Sequence, residues 1–113
     1  MPEPLPIEQF RSSETALRFE GADHGSPISF FVTDHPPDSS VPLHRHPYAE
    51  TFIVQEGRGA FSVDDETIEV SAGEVLVVPA GVAHGFVSTG EENLRMVSIH
   101  SRERVEQEWL QDS

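Results

Sequence analysis

The sequence predicts an all-β barrel or sandwich with one short helix at its C-terminal end, on three observations. Short apolar runs recur along the chain, turn residues separate them at close intervals, and only the last segment carries helical spacing.

The elements follow in order. Pro2, Pro4 and Pro6 make residues 1–13 an extended N-terminal arm, because proline sets φ and removes amide donors. The barrel is expected over 14–101, where ALRFE, ISFFVT, VPLHRH, AETFIVQEG, RGAFSV, ETIEVS, EVLVVP, VAHGFVS and LRMVSIH read as strands. Between the strands, GADHGSP and DHPPDSS are turns, and VDDET is a hairpin because aspartate tolerates turn geometry. Over 102–113 the spacing predicts a helix and tail: Ser101 is an N-cap, Val105 and Trp109 lie at i, i+4, and arginine and glutamate repeat that spacing. Trp109 would dock this helix on the barrel.

Composition narrows the chemistry. The 113 residues correspond to about one domain, and with no cysteine there can be no disulfide, thiolate metal site or cysteine nucleophile. Twenty acidic residues against seven arginines, with no lysine, give a formal charge of -13. A field of that sign repels nucleic-acid backbones and anionic membranes, so neither is an expected partner. MPEPLPIEQFRSS lacks a cationic segment followed by an apolar run, and no stretch reaches the roughly 18 apolar residues of a membrane span. A cytoplasmic protein is the expectation.

Several strands are apolar on both faces: Phe52 and Val54 oppose Ile53, and Val75 and Val77 oppose Leu76 and Val78. In so small a chain a second subunit would cover one face, which predicts a homodimer.

The stretch PLHRHPYAETFIVQEG carries the first half of a candidate site. In a strand, residues i and i+2 project to one side, so His44 and His46 face the same space while Arg45 faces away. Pro47 interrupts the ladder and implies a turn, after which Glu50 can return beside the histidines. The second half is GEVLVVPAGVAHGFVS, in which an apolar strand ends at Pro79, turns at Gly81 and presents His84. A histidine entering an apolar strand needs a hydrogen-bond partner or a metal, since an unsatisfied buried polar group costs roughly 1–3 kcal/mol.

With these residues in place, the chain resembles the cupin superfamily, as a small single-domain cupin of the cupin 2 type with an RmlC-like jelly roll. His44-x-His46-x3-Glu50-x6-Gly57 is similar to the first cupin motif, and Gly73-x5-Pro79-x-Gly81-x2-His84 to the second up to its histidine. Two positions depart: Asp38 stands where the family often has glycine, and Ser88 where the second motif often ends in asparagine. The resemblance implies a double-stranded β-helix barrel in which His44, His46, Glu50 and His84 bind one divalent cation. Three neutral imidazoles and a carboxylate suit Fe, Mn, Ni, Cu or Zn; an octahedral ion keeps about two open positions, and its first shell carries a net charge of about +1.

Other candidates are less specific. Tyr48, beside the first motif, is a candidate general acid or hydrogen-bond donor. His100 is a candidate second-layer or catalytic group if Leu94, Met96, Ser98 and His100 face inward; in the opposite register Arg95 would face the barrel mouth and anchor a carboxylate. His24 and His35 sit in turn-rich stretches and read as solvated. Phe30, Phe52, Phe61, Phe86 and Met96 are candidate pocket walls or plain core.

Two functions fit. One is a metal-dependent enzyme, dioxygenase-like or an isomerase or lyase, acting on a small oxygen-containing and in one form anionic metabolite. The other is a non-catalytic module that binds a small molecule beside the metal.

Overall fold

The computed structural model describes residues 2–111. After a 3-10 turn at Ile7–Phe10 come eleven strands: β1 (Arg11–Ser13), β2 (Ala16–Glu20), β3 (Ser29–His35), β4 (Ser40–Arg45), β5 (Glu50–Glu56), β6 (Arg58–Val63), β7 (Glu66–Ser71), β8 (Val75–Val78), β9 (His84–Ser88), β10 (Leu94–His100) and β11 (Glu108–Trp109). A further 3-10 turn at Gly21–Asp23 joins β2 to β3. The strands form two antiparallel sheets, ordered β1-β2-β3-β10-β5-β8 and β11-β4-β9-β6-β7.

Turn chemistry shapes the barrel. Asp64 takes φ 56° in the β6–β7 hairpin and Asp38 takes φ 69° where glycine is usual in the resembled motif, both within reach of aspartate. Gly57 has φ 76°, and a Cβ there would stand 2.4 Å from the Asn93 carbonyl oxygen, so only glycine lets β5 leave the sheet at this point.

Phe52, Val54, Phe61, Val70, Val78, Phe86, Leu94 and Met96 fill the core between the sheets. They come from strands of both sheets and alternate with outward residues, as the period of a strand requires. On β10 the inward set is Leu94, Met96, Ser98 and His100, while Arg95 is exposed and pairs with Glu56 at 3.3 Å. Arg95 therefore does not face the interior, and His100 does.

The expected C-terminal helix does not form. Residues 101–104 bend, and Glu108 and Trp109 pair with Arg45 and His44 as a short edge strand on β4. So short a segment is below the roughly 12–15 residues at which a helix holds itself, and the barrel offers its amides better partners. Val105 N–H donates to Glu20 Oε2 at 2.9 Å, Glu106 N–H to the Tyr48 hydroxyl at 3.2 Å, and Leu110 N–H to the Leu43 carbonyl at 2.9 Å. Trp109 docks through a strand and stays half-exposed. Asp112 and Ser113, the end of the expected helix and tail, lie outside the described residues.

Candidate metal centre

His44, His46, Glu50 and His84 arrive from three directions and meet inside the barrel. Pairing of β4 with β9 sets His44 opposite His84. That approach depends on the residue after His84: a Cβ on Gly85 would lie 2.6 Å from the Val41 carbonyl oxygen, so glycine alone lets β9 press against β4. Glu50 opens β5 directly after the Pro47 turn, and the turn returns its carboxylate to the histidines. All four side chains are buried, at 1–4% exposure, and one donor atom from each lies within 4.8 Å of the others. Metal bonds of about 2.0–2.2 Å separate two ligand atoms by at most about 4.4 Å, so convergence on one ion needs only a slight contraction.

Hydrogen bonding decides which nitrogen of each imidazole is available. Nδ1–H of His44 donates to the Pro42 carbonyl at 2.9 Å, that of His84 to the Val82 carbonyl at 2.9 Å, and that of His46 to the Tyr48 carbonyl at 3.1 Å. Each neutral ring is then left with a lone pair on Nε2. Nε2 of His46 and of His84 stand 2.8 and 3.0 Å from the same Glu50 oxygen, Oε1. Lone pairs facing a carboxylate oxygen so closely repel unless a cation is shared among them. The cluster therefore fits one divalent transition-metal ion, held by three Nε2 atoms and one carboxylate oxygen.

The ionisation of the group supports this. Burial pushes the His44 imidazole down to about 4, against the opposing pull of the Pro42 carbonyl, so the ring is neutral at pH 7 and free to ligate. Burial would raise the Glu50 carboxyl, but the hydrogen bond that His100 supplies outweighs it and holds the group below the usual carboxylate range. It is ionised wherever the protein is folded at ordinary pH.

A second layer lies behind Glu50. His100 Nε2–H donates to the other carboxylate oxygen, Oε2, at 3.2 Å, and its Nδ1 accepts from the Tyr48 hydroxyl at 2.6 Å. The same hydroxyl accepts Glu106 N–H, which leaves its proton for His100 and so sets the tautomer of that ring. Tyr48 also stacks on His46 with ring centroids 4.5 Å apart. Its hydroxyl is wholly engaged, and burial raises its pKa.

One cavity of about 450 Å³ reaches the centre, with His44, Glu50 and His100 in its wall. Of the candidate walls, Phe52, Phe86 and Met96 belong to the core and also line the cavity, Phe61 belongs to the core alone, and Phe30 stacks outside on Phe19 at 4.7 Å; Phe31 takes the place expected for Phe30. His24 is exposed, as read. His35 is not a solvated loop residue: it ends β3, lines the cavity, packs against Phe86 at 5.0 Å, and burial lowers its pKa. The strand parity Phe31, Thr33, His35 was the signal available for it. Arg18 and Gln107 also enter the wall, and no local pattern marks either.

A β-barrel that gathers three imidazoles and one carboxylate beside an open cavity defines a class of metal-binding barrels. The chain belongs to the Cupin_2 family (cupin domain), whose pattern it matches over residues 30–100. It is 39% identical over 62 residues to "Polyketide synthase CurC" of Streptomyces cyaneus, covering 54% of this chain and 40% of that protein. It is 31% identical over 65 residues to the "Oxalate-binding protein" of Thermotoga maritima, covering 57% and 54% respectively. The chain thus spans about half the length of these curated relatives. Among solved structures, an oxalate decarboxylase of Bacillus subtilis superposes with a TM-score of 0.81 at 20% identity, over 92% of this chain and 31% of that one. An oxalate oxidase superposes at 0.74 and 20%, over 88% and 57%. These likenesses show a shared fold. No helix among the described residues is long and apolar enough to cross a membrane.

Proposed function

We propose that this chain is a metal-dependent cupin enzyme acting on a small oxygen-containing metabolite, by dioxygenation or by Lewis-acid isomerisation or elimination. The observation that carries the reading is the cavity: three of its wall residues, His44, Glu50 and His100, belong to the centre or touch it, so coordination positions left open by the protein face a ligand-sized space. A structural metal site is closed by protein atoms and needs no such space.

A divalent ion in this centre supplies a Lewis acid and, if redox-active, a route to dioxygen chemistry; Mn is favoured by the Mn(II) centres of the oxalate decarboxylase that shares the fold. The protein's own residues do the rest. His44, His46 and His84 are held in one tautomer by backbone carbonyls, and Glu50 is held by His100. His100, in the cavity wall, is the candidate catalytic acid or base; Tyr48 acts through it as a positioning residue.

The second reading, a non-catalytic binding module, is favoured by relatives named for binding, the oxalate-binding protein and an auxin-binding protein of Arabidopsis thaliana. Incubating metal-loaded protein and the His84→Ala variant with a metabolite extract separates the two. Mass spectrometry that finds a compound consumed only by the loaded wild type supports the enzyme; a compound retained unchanged supports the module. A homodimer remains part of the proposal, supported by Val75 and Val77, which stand 60% and 57% exposed on the edge strand β8.

A further inference from the structure

We propose that the cavity takes a monoanionic, two-oxygen chelating ligand with a flat apolar body, and that it discriminates against a short dicarboxylate such as oxalate. The proposal rests on the metal-binding reading above and adds the substrate class.

The strand register shows how deep the space runs. Across β3, β10 and β5, one inward rung is Ser29–His100–Glu50, the next Phe31–Ser98–Phe52, and the next Thr33–Met96–Val54. Thr33 therefore lies four residues along β3 from the rung that holds Glu50, or about 13 Å at strand rise. Because Thr33 and Glu50 line the same cavity, its roughly 450 Å³ extends along the strands and does not end at the metal. Cavities of about 300–1,000 Å³ hold drug-sized molecules, and oxalate would leave most of this one unfilled.

Phe31, Phe52, Phe86, Met96, Val41 and Trp109 give the wall broad apolar surfaces, with Thr33, His35, Ser98 and Gln107 set among them. Flat rings suit such walls, because aromatic faces and edges pack on one another at 4.5–7 Å. Charge gives the second selection. Three neutral imidazoles, one carboxylate and a divalent ion sum to about +1, which balances one negative charge on the ligand and not two. The arginine in the wall, Arg18, is half-exposed, stands 3.5 Å from Glu20 and leans over the Phe31 ring, so it offers no free cation inside. A second carboxylate would meet neutral polar groups there, such as Thr33, Ser98 and Gln107, but no cation to balance its charge, and a buried charge so placed carries a desolvation cost.

The test uses the zinc-loaded full chain, in which the metal is redox-silent, with metal content measured before any ligand is added. Oxalate, catechol and 2,3-dihydroxynaphthalene are titrated separately, by calorimetry and by the fluorescence of Trp109, the single tryptophan of the chain and a wall residue. Catechol and the naphthalenediol present the same chelating oxygens and differ only in apolar body. The expected order is naphthalenediol tightest, by about tenfold over catechol, with oxalate weakest. Thr33→Phe, which fills the far part of the cavity, should bring the naphthalenediol down to the catechol affinity and leave metal content and catechol binding unchanged.

Oxalate binding as tightly as the naphthalenediol overturns the proposal, and so does equal affinity for the two diols. Those wild-type comparisons stand even if the Thr33 variant does not fold. Protein that takes up no zinc sinks the metal reading itself, and it does so before the ligand titrations begin.

Discussion

The inward face of β10 passes through two unlike regions. At one end Leu94 and Met96 are buried with Phe61, Val54 and Val78 in a mainly apolar core. At the other, His100 is equally buried among Glu50, Tyr48, His46 and His84, and its ring nitrogens are both engaged. The packed end is stabilised by apolar area and by contacts that each contribute a little. At the ligand end the polar groups Tyr48, His100 and Glu50 hold one another through hydrogen bonds, so removal of one leaves others unsatisfied. Damage should therefore be graded at the packed end and specific to function at the ligand end.

The sharpest way to separate the regions is His84→Ala, or His46→Ala. Metal uptake should be abolished with little loss of fold; elemental mass spectrometry alongside circular dichroism checks it, and global unfolding would instead point to a structural metal. Phe61→Ala should do the reverse, costing about 3–5 kcal/mol in urea unfolding with metal stoichiometry retained. If Phe61→Ala lost metal in proportion to stability, the two regions would be one cooperative unit.

Acid should strike the ligand end first. The His44 imidazole titrates at about 4 in the fold against 6.5 for the free side chain, so the unfolded chain binds the extra proton in between. That contribution is present above pH 6.5 and is lost as pH falls toward 4, to a total of at most about 3 kcal/mol. The Glu50 carboxyl, held low, adds a loss of the same sign below its ordinary range. Denaturant titrations of metal-free protein between pH 7 and 4 should show falling stability, and His44→Gln should flatten the upper part of that slope.

Tyr48→Phe removes one hydroxyl and leaves His100 Nδ1 and Glu106 N–H without their partner, at a cost of about 1–3 kcal/mol. A smaller loss would mean that water replaces the hydroxyl. The least effect is expected of Arg45→Ala. It breaks the exposed 2.9 Å pair with Glu108 on β11 and should change stability by less than about 1 kcal/mol.

Much of the ligand set was legible because its spacing is local. His44 and His46 share a strand parity, and Glu50 and His84 follow turns marked by proline and glycine. The hairpin at Asp64 was legible for the same reason, since backbone preference at one residue decides it. The register of β10 was not. Leu94 and Met96 on one parity and Val97 and Ile99 on the other are equally apolar, so only the neighbouring strands choose the inward face. His35 was misread because its surroundings, DHPPDSS, carry turn residues, while its side chain answers to Phe86 from a strand fifty-one positions away.

The sequence by itself determined the all-β class, the turns, the four candidate ligands and the absence of thiol and disulfide chemistry, because each depends on residue type and on spacing within a few positions. Tertiary structure alone decided the rest. The Tyr48–His100 bond joins residues 52 positions apart, and Arg45–Glu108 joins residues 63 apart. The last segment carries helical spacing and still becomes a strand, because the open edge of β4 and the acceptors at Glu20, Leu43 and Tyr48 satisfy its amides. Such partners exist only once the barrel has closed, and local spacing cannot announce them.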